Sequence, residues 1–289
     1  MEVIVIPPTY FDVVESYNTR MRPDLPYGKP HPRQTFRQWL NMVEALKYDL
    51  GIDPIFMNPE KFLHDMAFAC DPGLWIDNTF IAANFQPEAR RPEVAPFFEA
   101  FSRTTTYPIA LPEEACFEGG DCVVVGNTLL LGYGENRTNR RGVEEVKKIL
   151  EPQAIRVVPI RRITEEFYHL NSVLTVYPSA NLIAYYAEAF EPNIQEILEK
   201  NLPRMESVAL PKEALYRKHP TIGNEYLYSY CLNSIEHNGK VLMPYCSDAH
   251  LNFLESHDLE QCVLECSEFE KSGGAFRCLT MIHNITKTP

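Results

Sequence analysis

The sequence predicts an α/β protein built of five pseudo-symmetric ββαβ units, the last of them shared between the two chain ends. Three observations carry this reading. A pattern of strand, turn, strand, helix and strand recurs about every fifty residues, a period that marks repeat architectures. Turn dipeptides sit between short apolar and β-branched runs, where tight hairpins need them. The two ends supply complementary pieces of one further unit, so the series can close into a ring and leave no free sheet edge.

Taken in order, residues 3–6 (VIVI) read as a strand, 33–50 has helical periodicity and 52–57 (IDPIFM) is a strand. The first complete unit is LWI-DN-TFIAANF at 74–85, a helix over 91–102 and TYPIAL at 106–111. The second is VVV-GN-TLLLG at 123–132, a helix over 140–150 opened by Asn139 as cap, and IRVVPI at 155–160. The third is VLTVYPSANLIAYY at 173–186, a helix over 192–202 and SVAL at 207–210. The fourth is SIEHNGKVLMPY at 234–245, a helix over 248–256 and CVLEC at 262–266. CLTMIHNI at 278–285 then joins the N-terminal pieces to complete the fifth unit.

Composition narrows the function. A chain of 289 residues can bury a full core, and it is read as a single catalytic domain over 1–289. No apolar run approaches the roughly 18–20 residues that span a bilayer. The opening MEVIVIPPTY lacks the basic region and cleavage site of a signal peptide. A net charge of −12 argues against nucleic acid and anionic membrane surfaces as partners and suits a cationic small molecule. Without a secretory signal, the eight cysteines read as reduced thiols of a cytoplasmic protein. Cys262 and Cys266 are four apart with no matching Cys/His pair at zinc-like spacing, so no metal is expected. Self-association is left open.

Several chemically capable residues occupy comparable places, ahead of the first strand of their units. Asp71 precedes LWI, Glu118 precedes VVV, His169 precedes VLTV and Cys278 opens the final strand. In a closed ring these places fall at one end, around the axis. The pair Gly119-Gly120 lets the backbone bend sharply and approach a ligand closely. Glu118 and Arg137, at the two mouths of the second hairpin, form a pair able to hold a charged substrate.

The motifs FEGGD at 117–121, RTN at 137–139, FYHL at 167–170 and GGAFRCLTM at 273–281 resemble the guanidino-group-modifying superfamily. That superfamily comprises dimethylarginine dimethylaminohydrolase, arginine deiminase, arginine dihydrolase and the amidinotransferases. The resemblance implies a five-bladed α/β propeller, the pentein fold, and a cationic guanidino substrate with no cofactor. Cys278 matches the family nucleophile, His169 its general acid/base and Glu118 its substrate-holding carboxylate. Asp71 matches a guanidinium-binding aspartate of the deiminase and dimethylaminohydrolase branches. Arg137 and Arg90 match arginines that grip the amino-acid end of the substrate, with Arg91 as the other candidate for the second place. Asn18 in YNTRM resembles an asparagine of the dihydrolase-type members. Asp121 belongs to the motif, with substrate contact and support of the glycine turn both open.

Two departures bear on substrate. Many members carry Asp where this chain has Asn171, which favours a substituted guanidine over free arginine. The dihydrolases tend to carry Asn where Asp71 stands, which weighs against double deamination. A guanidinium carbon is a poor electrophile, so attack requires a thiolate and a cation fixed by carboxylates. The reading is a hydrolase acting through a covalent thiouronium. An amidinotransferase, a deiminase or dihydrolase, and an inactive binding module are the alternatives.

Overall fold

The computed structural model describes residues 1–164, 166–218 and 226–286. The chain begins with β1 (Val3–Val5), α1 (Pro32–Tyr48) and β2 (Ile55–Phe56). Then follow β3 (Gly73–Ile76), β4 (Thr79–Ala82), α2 (Val94–Ser102) and β5 (Tyr107–Ile109). The third group is β6 (Cys122–Val125), β7 (Thr128–Tyr133), α3 (Arg140–Leu150) and β8 (Arg156–Arg161). The fourth is β9 (Leu174–Tyr177), β10 (Leu182–Tyr185), α4 (Ile194–Asn201) and β11 (Glu206–Ala209). A short helix α5 (Lys212–Leu215) and the antiparallel pair β12 (Tyr216–Lys218) and β13 (Tyr226–Tyr228) interrupt the series. The last group is β14 (Ile235–His237), β15 (Lys240–Pro244), α6 (Asp248–Glu255) and β16 (Glu260–Leu264), followed by α7 (Ser267–Glu270) and β17 (Thr280–Ile282).

Each unit is one three-stranded sheet with the same wiring. An antiparallel hairpin is followed by a helix and a strand parallel to the hairpin's second member, as in β3–β4–β5 and β6–β7–β8. The termini share the remaining sheet as expected: β17 pairs antiparallel to β1 (Val3 opposite Ile282) and β1 runs parallel to β2. The middle strands β4 and β10 are buried along their whole length, which is why they read as continuous apolar runs. The helices cover the sheets with one face. In α3 that face is Gly142, Val143, Val146 and Leu150, and Asn139 caps it by accepting from Gly142 N at 2.8 Å. At the Asn238-Gly239 turn both residues have positive φ, 55° and 80°, the conformation that the sequence pair favours.

Neighbouring units are linked all the way round, giving a five-bladed α/β propeller. Single bridges join Ile76 to Asn284, Asn84 to Phe117 and Arg162 to Phe190. Ser179 Oγ donates to Glu236 Oε1 at 2.7 Å, and Arg277 N donates to Asn233 O at 3.1 Å, completing the circuit. Residues of β6, β9, β14 and β17 line a common cavity of about 130 Å³.

Two details differ from expectation. The second helix begins at Val94 rather than 91, because Glu88–Glu93, with Pro92 inside it, runs as a 3-10 stretch that leads into it. The β12–β13 pair lies outside the repeat and, among the described residues, has no counterpart in the other units. All eight cysteines are free, and among the described residues no helix is long and apolar enough to cross a membrane.

Candidate active site

Every unit delivers one polar side chain to the same buried place. Asp71, Asn233 and Cys278 each stand two residues ahead of the first strand of their hairpin, β3, β14 and β17. Glu118 and His169 have nearly the same backbone, extended at φ −135°, ψ 139° and φ −125°, ψ 144°. Each leads into a one-turn 3-10 helix, Gly119–Asp121 or Leu170–Ser172, that feeds β6 or β9. The sequence reading found four of the five. Asn233 was missed, although its place ahead of SIEH is the same register that marked the others.

The glycine pair has a different use from the one expected. A Cβ on Gly120 would lie 2.4 Å from His169 Nδ1, and one on Gly119 would lie 2.0 Å from the Cys70 carbonyl oxygen. The close approach is therefore between neighbouring units, and it sets the imidazole against the FEGGD turn. His169 Nε2 donates to Glu118 Oε2 at 2.8 Å, and its Nδ1 lies 3.6 Å from Asp71 Oδ1. Asn233 Nδ2 is 3.1 Å from Cys278 Sγ, and Asn233 Oδ1 accepts from the backbone N–H groups of Ala275 (3.0 Å) and Cys278 (3.1 Å). This amide fixes both the thiol and the turn that carries it.

The two arginines divide their work. Arg90 is buried and fully engaged: Nη1 donates to Asp71 Oδ2 at 2.7 Å, and Nη2 donates to Glu93 Oε2 at 2.7 Å. Its planar fork orients Asp71. Arg91 is half exposed and donates to Phe85 O. Arg137 meets Glu118 loosely, at 3.3 and 3.5 Å, and its guanidinium packs over the rings of Tyr168 (4.7 Å) and Tyr17 (5.5 Å). Its backbone is left-handed at φ 70°, a strained setting for a side chain with a Cβ, and Gln86 Oε1 accepts its N–H at 2.7 Å.

Tyr17, Asn18, Arg137 and Tyr168 form a partition between two spaces. On the inner side is a cavity of about 10 Å³, room for one water-sized molecule, also lined by Asp65, Phe68, Asp71, Arg90 and Cys278. On the outer side is a recess of about 350 Å³. Asn18 latches the partition: Nδ2 donates to Ser272 O at 3.1 Å while Oδ1 accepts from the N–H groups of Arg20 and Met21. The inner cavity is too small for an amino acid, so a substrate of that size needs the lining side chains to shift.

Asn171 lies against both sulfurs of the cluster. Its Nδ2 donates to Cys70 Sγ at 3.3 Å, and its Oδ1 lies 3.5 Å from Cys278 Sγ and accepts from Asn233 at 3.1 Å. It also lines the common cavity of about 130 Å³. Asp121 supports the turn: its oxygens accept from Leu170 N and Thr138 N and pair with Arg162. Asp65 was also missed; it accepts from Ser272 Oγ at 2.7 Å, and burial raises its carboxyl to about 6. Cys262 and Cys266 join no ligand cluster among the described residues, whereas Cys70, Asp71 and Cys278 have ligand atoms within 4.8 Å of one another.

Electrostatics prepares a thiolate facing an imidazolium. A hydrogen bond from Cys70 favours the Cys278 thiolate, burial opposes it, and His169 adds favourable charge, so the thiol falls to about 6. Burial disfavours the His169 imidazolium, but Asp71 and hydrogen bonds to Cys278 and Glu118 outweigh it and push the group up to about 10. Burial would raise Glu118, yet Arg137 and His169 hold it at about 2. Alkylation of Cys278 should therefore rise with a midpoint near 6, whereas an ordinary thiol titrates at about 8.5. An ordinary midpoint would refute the charged pair. In Asn233→Ala the midpoint should move up. Chemical unfolding should record a loss of about 1–3 kcal/mol for each backbone N–H left buried without an acceptor.

A sequence model of the arginine deiminase family matches residues 52–199, more than half of the chain. The chain is 26% identical over 283 residues to a bifunctional arginine dihydrolase/ornithine cyclodeaminase of Nostoc sp., covering 96% of this chain and 37% of that protein. It thus spans little more than a third of that relative's length. It is 25% identical over 276 residues to the N(G),N(G)-dimethylarginine dimethylaminohydrolase of Mycobacterium tuberculosis, covering 95% of this chain and 83% of that one. The product-bound crystal structure of the N-terminal domain of a cyanobacterial arginine dihydrolase has the same fold. It gives a TM-score of 0.86 at 23% identity, over 99% of this chain and 98% of that one. With the family match covering more than half of the chain, two complete units and three of the converging residues within it, this chain belongs to the arginine deiminase family.

Proposed function

We propose that this protein is a cysteine-dependent hydrolase of guanidino compounds. Its substrate is arginine or an N-substituted, arginine-like cation, and it releases an amine or ammonia together with a ureido product. The observation that carries this is the convergence of Cys278, His169, Glu118 and Asp71, each from a different unit, in one buried cluster. The five units act as one catalytic domain because none of them holds the site alone.

The Cys278 thiolate adds to the guanidino carbon. The carbon–nitrogen bond then breaks, with the departing amine taking a proton from the His169 imidazolium, and leaves a covalent thiouronium. The neutral imidazole takes a proton from water, whose oxygen attacks the same carbon. The carbon–sulfur bond breaks, the ureido product forms and the thiolate returns. Asp71 Oδ1 and Glu118 hold the planar cation by charge-assisted hydrogen bonds. Arg90 keeps Asp71 in place, and Asn18 closes the partition behind the substrate. Arg137, once released from its loose contact with Glu118, takes the carboxylate of an amino-acid substrate.

Single hydrolysis of an N-substituted guanidine, as in dimethylarginine dimethylaminohydrolase, is the favoured substrate reading. It is supported by similarity to that enzyme and by Asp71, which stands where dihydrolases tend to carry Asn. Arginine, methylated arginines and agmatine should each be incubated with the protein while ureido product, ammonia and alkylamine are measured. Dimethylarginine processed at least as well as arginine, with one nitrogen released per turnover, is the expected result. Ornithine from arginine would mean a dihydrolase, and a new guanidine formed only with an added amine acceptor would mean a transferase. In Arg137→Lys, KM for arginine-like substrates should rise by more than kcat falls. Equal sensitivity towards agmatine, which has no carboxylate, would make Arg137 structural.

A further inference from the structure

The nucleophile has a second thiol at its side. Cys70 and Cys278 are both buried, and their Sγ atoms lie within 4.8 Å of each other. Cys70 N donates to Cys278 O at 3.0 Å, so the two turns are joined directly. That bond leaves the Cα atoms no more than about 7 Å apart, close to the upper end of the range that disulfides span. Asn171 touches both sulfurs, from Nδ2 to Cys70 and from Oδ1 to Cys278. The hydrolytic steps above give Cys70 no bond to make or break.

We propose that Cys70 is a resolving thiol that converts peroxide damage at Cys278 into a reversible Cys70–Cys278 disulfide. In the first step the Cys278 thiolate attacks hydrogen peroxide. A sulfur–oxygen bond forms, the oxygen–oxygen bond breaks and hydroxide leaves, with sulfur oxidised by two electrons and the peroxide reduced. In the second step Cys70 attacks the sulfenic sulfur. The sulfur–sulfur bond forms, the sulfur–oxygen bond breaks, and the departing hydroxide and the Cys70 proton leave as water.

Two features time the second step. Before oxidation the Cys70 proton is held by its hydrogen bond to the Cys278 thiolate, then by burial and by the charge of Asp71, and its pKa lies well above the usual thiol range. Oxidation of Cys278 removes the thiolate and with it the leading cause of that rise. Asp71 Oδ1, 3.5 Å from Cys70 Sγ, is placed to accept the proton. The inner cavity beside Cys278, with room for one water-sized molecule, admits a small peroxide more readily than a bulky oxidant.

The test uses the whole chain with hydrogen peroxide, a chelator throughout and no substrate. Free thiols are then alkylated and the protein is digested without reductant. The expected product is a peptide joining Cys70 to Cys278, lighter by two hydrogens than the separate thiol peptides, with both thiols recovered after dithiothreitol. In Cys70→Ala and Cys70→Ser, the same peroxide dose should carry Cys278 on to sulfinic and sulfonic acid that dithiothreitol does not reverse. Absence of the joined peptide overturns the proposal, as does over-oxidation of Cys278 in the unmutated protein as fast as in the variants. Because the readout is a covalent bond rather than turnover, a protein that forms the cross-link but hydrolyses no guanidine would refute only the proposed function.

Discussion

Cys278→Ser should abolish guanidine hydrolysis, lowering kcat/KM by at least about 10³. The seryl hydroxyl keeps the size of the side chain but is not ionised at neutral pH, whereas the Cys278 thiolate is stabilised by Cys70 and His169 against burial. The variant should still fold, because Asn233 continues to accept from the backbone N–H groups of Ala275 and residue 278. It should also bind substrate without forming the covalent adduct that mass spectrometry is expected to detect in the unmutated protein. Cys122→Ser and Cys262→Ser, by contrast, should change only stability, since Cys122 packs in the apolar core of the second complete unit and Cys262 lies against the main core. Turnover retained in Cys278→Ser would move the nucleophile elsewhere.

Glu118→Gln should be the second most damaging change, costing about 10²–10⁴ in kcat. The carboxylate is fully buried and held ionised by Arg137 and His169, and one of its oxygens is the acceptor for His169 Nε2. The amide preserves shape but removes the charge. Two consequences separate loss of chemistry from loss of fold. The alkaline limb of the pH–rate profile should move to lower pH, because Glu118 is among the groups that raise His169 to about 10. The acid limb follows the coupled Cys278–His169 pair and should move up, since a less persistent imidazolium favours the thiolate less. A profile that only falls in height, with both limbs unmoved, would confine Glu118 to holding the substrate.

The repeat, its closure by the termini and most of the converging residues are legible in the sequence because they follow from local rules. Short apolar and β-branched runs mark β6 and β7, helical periodicity marks α3, and Asn238-Gly239 marks its own turn through the left-handed conformation those residues tolerate. Once the units are aligned, Asp71, Glu118, His169 and Cys278 share a register, and any residue in that register belongs at one end of the ring. Asn233 obeys the same rule and was overlooked only because an asparagine announces no chemistry by itself.

The partners of these residues were decided by tertiary structure alone. Arg90 is spent on Asp71 and Glu93, Asn171 turns to the sulfurs, and Ser272 reaches Asp65 across 207 positions of chain. None of these pairings has a period. Each depends on which turns meet when neighbouring units pack, and on burial forcing every charged or polar group there to find a partner. The same packing brings Cys70 beside Cys278, two thiols that look like unrelated small hydrophobes along the sequence. A repeat pattern can place residues at one end of a ring, but only the packed turns determine which side chains touch.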